Sequence, residues 1–205
     1  MERALDVRLP ITAHTSQPWR IHAVAADFRV EDVWALPTPA GPDDFPRLVE
    51  GFTSGPLSAG SSLPARMLLD IRWKIGKVLG LDGPSTGVGA RVPTLRDRLP
   101  ADLLDTARPT FETLPFTTLY MTSNEFAAEI ANKTMHGVMH LGWVPDQAGG
   151  YRGQMAVLVK PNGLLGRSYM AAIKPFRYLI VYPAMLRQIE RNWPAYSGES
   201  TRADI

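Results

Sequence analysis

The sequence predicts an α+β domain, and two stretches predict it. From Phe116 to Lys160 the chain has β texture, with apolar and polar residues alternating between turn signals at Ser123-Asn124, Asn132-Lys133 and Asp146–Gly150. Directly after it, Pro161–Trp193 reads as one long amphipathic helix. Tyr169, Ile173, Phe176, Ile180, Pro183, Leu186, Ile189 and Trp193 recur there at steps of three and four, the spacing of a single buried stripe. Pro175 and Pro183 each remove an internal hydrogen bond, so kinks or two helices end to end are expected, and Pro194 supplies a stop.

In chain order, Met1–Gln17 reads as a poorly packed arm, residues 18–194 as one domain, and 195–205 as a disordered tail. Trp19–Phe28 is expected to form the first strand. The prolines at 37, 39, 42 and 46 forbid one long element between Val30 and Phe52, so short helical turns are expected, with Asp43 or Asp44 capping a piece around Phe45–Val49. Thr53–Ser62 is a Gly/Ser/Pro linker. Leu63–Leu79 carries a second helical stripe, with Ser62 as N-cap and Pro64 just inside the start. Gly83–Leu104 is rich in loop residues, and its GVGA has neither the dinucleotide nor the Walker glycine spacing. Four strands follow, at Phe116–Met121, Phe126–Ala131, Thr134–Val144 and Tyr151–Lys160.

Composition narrows the function. At 205 residues and 45% apolar, the chain has ample material for one core. A net charge of +2 with scattered basic residues does not make a nucleic-acid footprint. There is no cysteine, which removes disulfides, thiolate catalysis and cysteine zinc sites and fits a reducing, cytoplasmic setting. MERALDVRLP has no apolar signal core, and the helical stretch is uncharged only over Tyr178–Leu186, too short to span a membrane, so secretion and a membrane span are not expected.

A turn at Asn132-Lys133 would set Ile130 opposite Met135, Ala128 opposite Gly137 and Phe126 opposite Met139. One sheet face then carries Phe126, Met135, Met139, Trp143 and Met155, an apolar surface relieved by glycine. The other carries Glu125, Glu129, His136 and His140. On a strand, His136 and His140 stand about 13 Å apart, too far to share a metal ion. They are read as charge pairs with Glu129 and Glu125 on a solvated or interface face. No G-x-S-x-G nucleophile motif and no carboxylate-rich metal motif occurs, and neither a cofactor nor a metal is expected.

The segment GYRGQMAVLVKPNGLLGRSYMAAIKPFRYLIVYPAMLRQIER resembles the C-terminal signature of a family of domains of unknown function, members of which also occur behind short-chain-dehydrogenase-like NAD-binding domains. The matching features are the strand ending at Pro161, the Gly163–Arg167 turn and the Pro175-Phe176 pair. That family is similar to the START/polyketide-cyclase-like (SRPBCC) superfamily. The resemblance implies a helix-grip fold, a curved antiparallel sheet wrapped around a long C-terminal helix, with an apolar cavity between them for a hydrophobic small molecule such as a lipid or polyketide. Its walls would be Trp34, Tyr120, Phe126, Met135, Met139, Trp143, Met155, Tyr169, Ile173, Phe176 and Ile180. Cyclase or hydratase-type chemistry would enlist Asp32, Trp34, Tyr120 or Tyr169. No G-x-G-x-x-G follows an N-terminal strand in these 205 residues, so dehydrogenase activity is not expected of them. The alternative is a non-catalytic interaction domain with a filled core, meeting a partner or a second copy of itself through the His136/His140 face or the Gly83–Leu114 loop.

Overall fold

The computed structural model describes residues 7–54, 88–89, 92–112, 114–132 and 134–198, with side chains at 164, 165, 169, 176 and 195–198 left out. The predicted helix over Leu63–Leu79 and the linker before it, from residue 55, lie outside these residues. Six antiparallel strands form one sheet: β1 (Arg8–Leu9), β2 (Arg29–Ala35), β3 (Thr117–Met121), β4 (Glu125–Ala131), β5 (Met135–Pro145) and β6 (Tyr151–Pro161). Their order is β1-β2-β6-β5-β4-β3, so the first long strand pairs with the last, and the sheet is not closed.

Both faces are buried. Over one lie helix α3 (Phe45–Thr53) and the C-terminal helix, packed on Trp34, Phe126, Met139, Leu141, Trp143 and Met155. Over the other lie the short helices α1 (Thr12–Thr15) and α2 (Ile21–Val24), a 3₁₀ turn at Leu95–Arg98 and α4 (Ala101–Leu104). These bring Trp19, Ile21, Val24, Leu95, Leu99 and Leu103 onto Val33, Ala127, Val138, Ala156 and Leu158. Residues 8–17 are thus no loose arm: Leu9 pairs with Val33, and His14 is fully buried. The expected strand at Trp19–Phe28 is instead a helical turn, with the strand following at Arg29. Ile21, Val24, Ala25 and Phe28 are spaced by three, one and three, which is a helical face.

The β4–β5 hairpin turns one residue later than expected. The Asn132 side chain accepts the amides of Thr134 (2.8 Å) and Met135 (3.0 Å), which places Asn132 at the start of the turn. Phe126 therefore pairs with Leu141 and Ala128 with Met139, two residues from the expected register. Because the shift is even, every side chain stays on its expected face. A bulge at Leu119 does change a face. Thr118 pairs with Ala128 but Tyr120 with Ala127, which carries Tyr120 to the side away from the helix.

The C-terminal element is one helical run in three parts: α5 (Gly163–Phe176), a π turn (Arg177–Val181) and α6 (Tyr182–Gly198), which continues past the stop expected at Pro194. Gly163 begins it at φ +69°, a conformation that favours glycine. Gly166 is buried against the Thr134 carbonyl oxygen, where a Cβ would overlap backbone. Gly166→Ala is therefore expected to lower stability by about 1–3 kcal/mol, the range of overpacking a tight contact. A thermal melt of the variant checks this; an unchanged midpoint would mean that the hairpin yields.

Candidate functional site

Beneath the π turn, four polar side chains converge inside the apolar sheet–helix interface. A bulge at Glu31 turns Asp32 of β2 toward the helix, where its carboxylate is 2% exposed. It accepts hydrogen bonds from Arg177, from the Tyr178 hydroxyl and from the Tyr182 hydroxyl, the last at 2.9 Å. The Tyr182 hydroxyl lies 2.5 Å from Arg177, and Arg8 reaches the Tyr178 hydroxyl at 3.1 Å. In an α-helix, residues five apart point about 140° from each other. The i→i+5 geometry of a π turn sets them one above the other, which is how Arg177 and Tyr182 meet at one carboxylate.

Burial disfavours the Arg177 cation, but Tyr182 and Asp32 outweigh it and raise its pKa further. Burial, with Asp32 beside it, pushes the Tyr182 phenol well above its ordinary value against the opposing pull of Arg177. Trp34 packs on Tyr182 with ring centroids 4.5 Å apart and planes tilted by 37°, and its indole N–H is buried without a partner among the described residues.

The opposite face is a correction to the sequence reading. His136 and His140 are 5% and 0% exposed, covered by this chain's own N-terminal segment and by residues 92–104, so this face is neither solvated nor free for a two-fold interface. The two His/Glu pairs do form, diagonally across the strands: His136 to Glu129 at 2.8 Å and His140 to Glu125 at 3.1 Å. Burial alone would raise the Glu129 pKa, yet hydrogen bonds from His136, Thr94 and the Leu95 amide hold it below its ordinary value. Burial lowers His140, against the raising effect of Glu125. His14 falls to about 3 through burial, with the neighbouring His140 and His22 adding to the shift.

Of the eleven residues expected to line a cavity, the structure brings Trp34, Phe126, Met139, Trp143 and Met155 into one cluster under the helix. Tyr120 sits on the far face, where burial and Glu125 push its phenol far above the usual range. Met135 and Ile173 are half-buried. Ile180 is 44% exposed and Leu179 76%. The stripe expected over Pro161–Trp193 assumes an unbroken 3.6-residue period, and the π turn rotates Tyr178 and Tyr182 inward instead. The side chains of Tyr169 and Phe176 lie outside the described residues. Sequence reading singled out Asp32 and Trp34 but passed over Arg177, Tyr178 and Tyr182. The signal available for them was the R-Y-x-x-x-Y spacing between Pro175 and Pro183.

An open antiparallel sheet, its first long strand beside its last and a helix laid over one face, defines an α+β domain with a polar cluster between sheet and helix. Residues 24–184 match the family described as "Protein of unknown function (DUF2867)", and the chain belongs to that family. No curated protein and no solved structure matches the chain. Among the described residues, no helix is long and apolar enough to cross a membrane.

Proposed function

We propose that this protein binds a hydrophobic small molecule, a lipid, polyketide or similar, between the sheet and the C-terminal helix of a helix-grip domain. The observation that carries the reading is the Trp34 indole, whose N–H is buried without a partner among the described residues and whose ring packs on Tyr182, within an otherwise apolar cluster. Buried polar groups are nearly always satisfied, so an unpaired donor here suits a ligand oxygen. The pairing of β2 with β6 and the position of the helix support the helix-grip assignment. Methionines at 139 and 155 give the apolar wall side chains that adapt to a guest. The π turn, between two prolines, is the segment able to shift and admit it. Any cyclase or hydratase-type step would use Asp32 and Tyr182 as the proton-handling pair at the polar end. The lack of cysteine suits a cytoplasmic setting.

Native mass spectrometry of protein from its own host should show a co-purified apolar molecule. In titrations with a medium-chain ketone and the matching alkane, Trp34→Phe should weaken the ketone about tenfold, the order of one buried hydrogen bond, and leave the alkane unchanged. Failure of wild-type protein to bind either probe, or any hydrophobic dye, would leave the interaction-domain reading standing.

A further inference from the structure

A groove of about 820 Å³ opens at the end of the sheet where the N-terminal segment, the β3–β4 turn and the β5–β6 hairpin meet. Trp19, Arg20, Asn124, Glu125, Trp143 and Tyr151 are among its walls. Trp143 and Tyr151 are stacked, 13° apart in plane, and offer a flat aromatic side. The Trp19 indole N–H is buried without a partner among the described residues. Arg20 is held by Asp102 at 2.7 Å.

Behind Glu125 stands a file of three imidazoles. His140 Nε2 is 3.1 Å from Glu125 Oε2, His14 Nε2 is 3.2 Å from His140 Nδ1, and His22 Nε2 is 3.2 Å from His14 Nδ1. A carboxylate only accepts, so His140 carries its hydrogen on Nε2 and presents a lone pair at Nδ1. His14 must then donate from Nε2, and His22 likewise. The file has one polarity, imposed from Glu125, and it ends at the half-buried His22. The inner rings are kept uncharged by burial. Uncharged rings in series, each donor aimed at the next lone pair, form a proton wire. The nitrogens point at one another, and no metal-holding group of three or more His, Cys, Asp or Glu occurs among the described residues.

The geometry points to a second site. The groove takes a small planar molecule with an exchangeable N–H or O–H and an acceptor for Trp19; Glu125 exchanges protons with it, and His140, His14 and His22 connect Glu125 to solvent. A proton entering at His22 Nδ1 releases the Nε2 proton to His14 Nδ1. His14 Nε2 passes its proton to His140 Nδ1, and His140 Nε2 passes its own to Glu125. One proton has entered, the carboxylate has become a carboxylic acid, and each ring has changed from Nε2–H to Nδ1–H without keeping charge. Glu125 gives this proton to one atom of the occupant and takes one back from another. The file, now donating outward, returns it to solvent in reverse order. The reaction class is tautomerisation, and it needs no oxidant or reductant. Facing the file from the elements packed on it are Tyr120 of β3, Arg20 with its partner Asp102, and the uncharged Gln154 of β6, whose amide is bonded to Ala13.

Nuclear magnetic resonance of uniformly ¹³C,¹⁵N-labelled protein, with benzimidazole as the probe, tests this. Free protein should show His14 and His140 neutral and protonated at Nε2. Benzimidazole should bind with a Kd of about 1 mM or below, shift the Trp19 indole and Glu125 carboxyl signals, and move His14 and His140 partly to Nδ1–H. Glu125→Gln should abolish the ring response. His22→Asn, at the half-buried end of the file, should keep affinity within about threefold and slow proton exchange at His14 by about tenfold or more; it carries the test if Glu125→Gln does not fold. No shift at Trp19 and Glu125 up to about 10 mM probe overturns the site. Histidine nitrogens that do not change on binding, or wild-type exchange in His22→Asn, overturn the relay.

Discussion

Replacing Asp32 with alanine is expected to destabilise the protein by about 3–5 kcal/mol, because it leaves a buried cation without its partner. Arg177 has a side chain only 14% exposed, and its guanidinium and the hydroxyls of Tyr178 and Tyr182 all address that one carboxylate. Without it, the π turn loses what holds Arg177 and Tyr182 in register, and the loss should be read in a lower urea midpoint followed by tryptophan fluorescence. The companion variant Asp32→Leu with Arg177→Met removes both charges. It should recover most of the stability, because a buried ion pair contributes little net against apolar residues of similar size. A single variant that loses less than about 1 kcal/mol, the scale of an ordinary exposed pair, would show that water reaches the cluster.

Acid is expected to act first on the other face of the sheet. His14 titrates near 6.5 in an unfolded chain and at about 3 when folded. Between those values the unfolded chain binds a proton that the folded chain refuses. The stabilisation is therefore fully present above about pH 6.5 and is lost as the pH falls toward 3. At about 1.4 kcal/mol per unit, the loss is on the order of 5 kcal/mol, and His140, also lowered by burial, adds in the same direction. Glu129, held below its ordinary value of 4.5, adds its own loss only below that pH. Urea midpoints at about pH 7.5, 5.5 and 4.5 should decline steadily, and His14→Phe should flatten the decline. Midpoints that stay level from about pH 7.5 to 4.5 would mean that the imidazoles have access to solvent.

Much of the sheet was legible in the sequence because a strand's two-residue period leaves a mark that errors of register do not erase. The β4–β5 pairing was misread by two residues, yet Phe126, Met139 and Trp143 still fell on one face and Glu125, Glu129, His136 and His140 on the other. What that second face meets was not legible. Ile21, Val24 and Phe28 lie in a short segment where two periods compete, and nothing local indicates that it folds back across β4 and β5. Buried His/Glu pairs and solvated ones look the same in sequence, since alternation reports a side and not what covers it.

The sequence by itself determined the class of domain, its four consecutive strands β3 to β6, the two faces of the sheet and a long helix after Pro161, all consequences of periodicity and of residues that break it. Only the tertiary structure decided that His22, His14, His140 and Glu125 stand in line, because residues more than a hundred positions apart are joined by the packing of the N-terminal segment on β4 and β5. It also decided which way the C-terminal helix faces. An extra residue in one turn rotates Ile180 out and Tyr182 in, and the R-Y-x-x-x-Y spacing alone does not make that choice because Asp32, which fixes it, lies some 150 residues earlier.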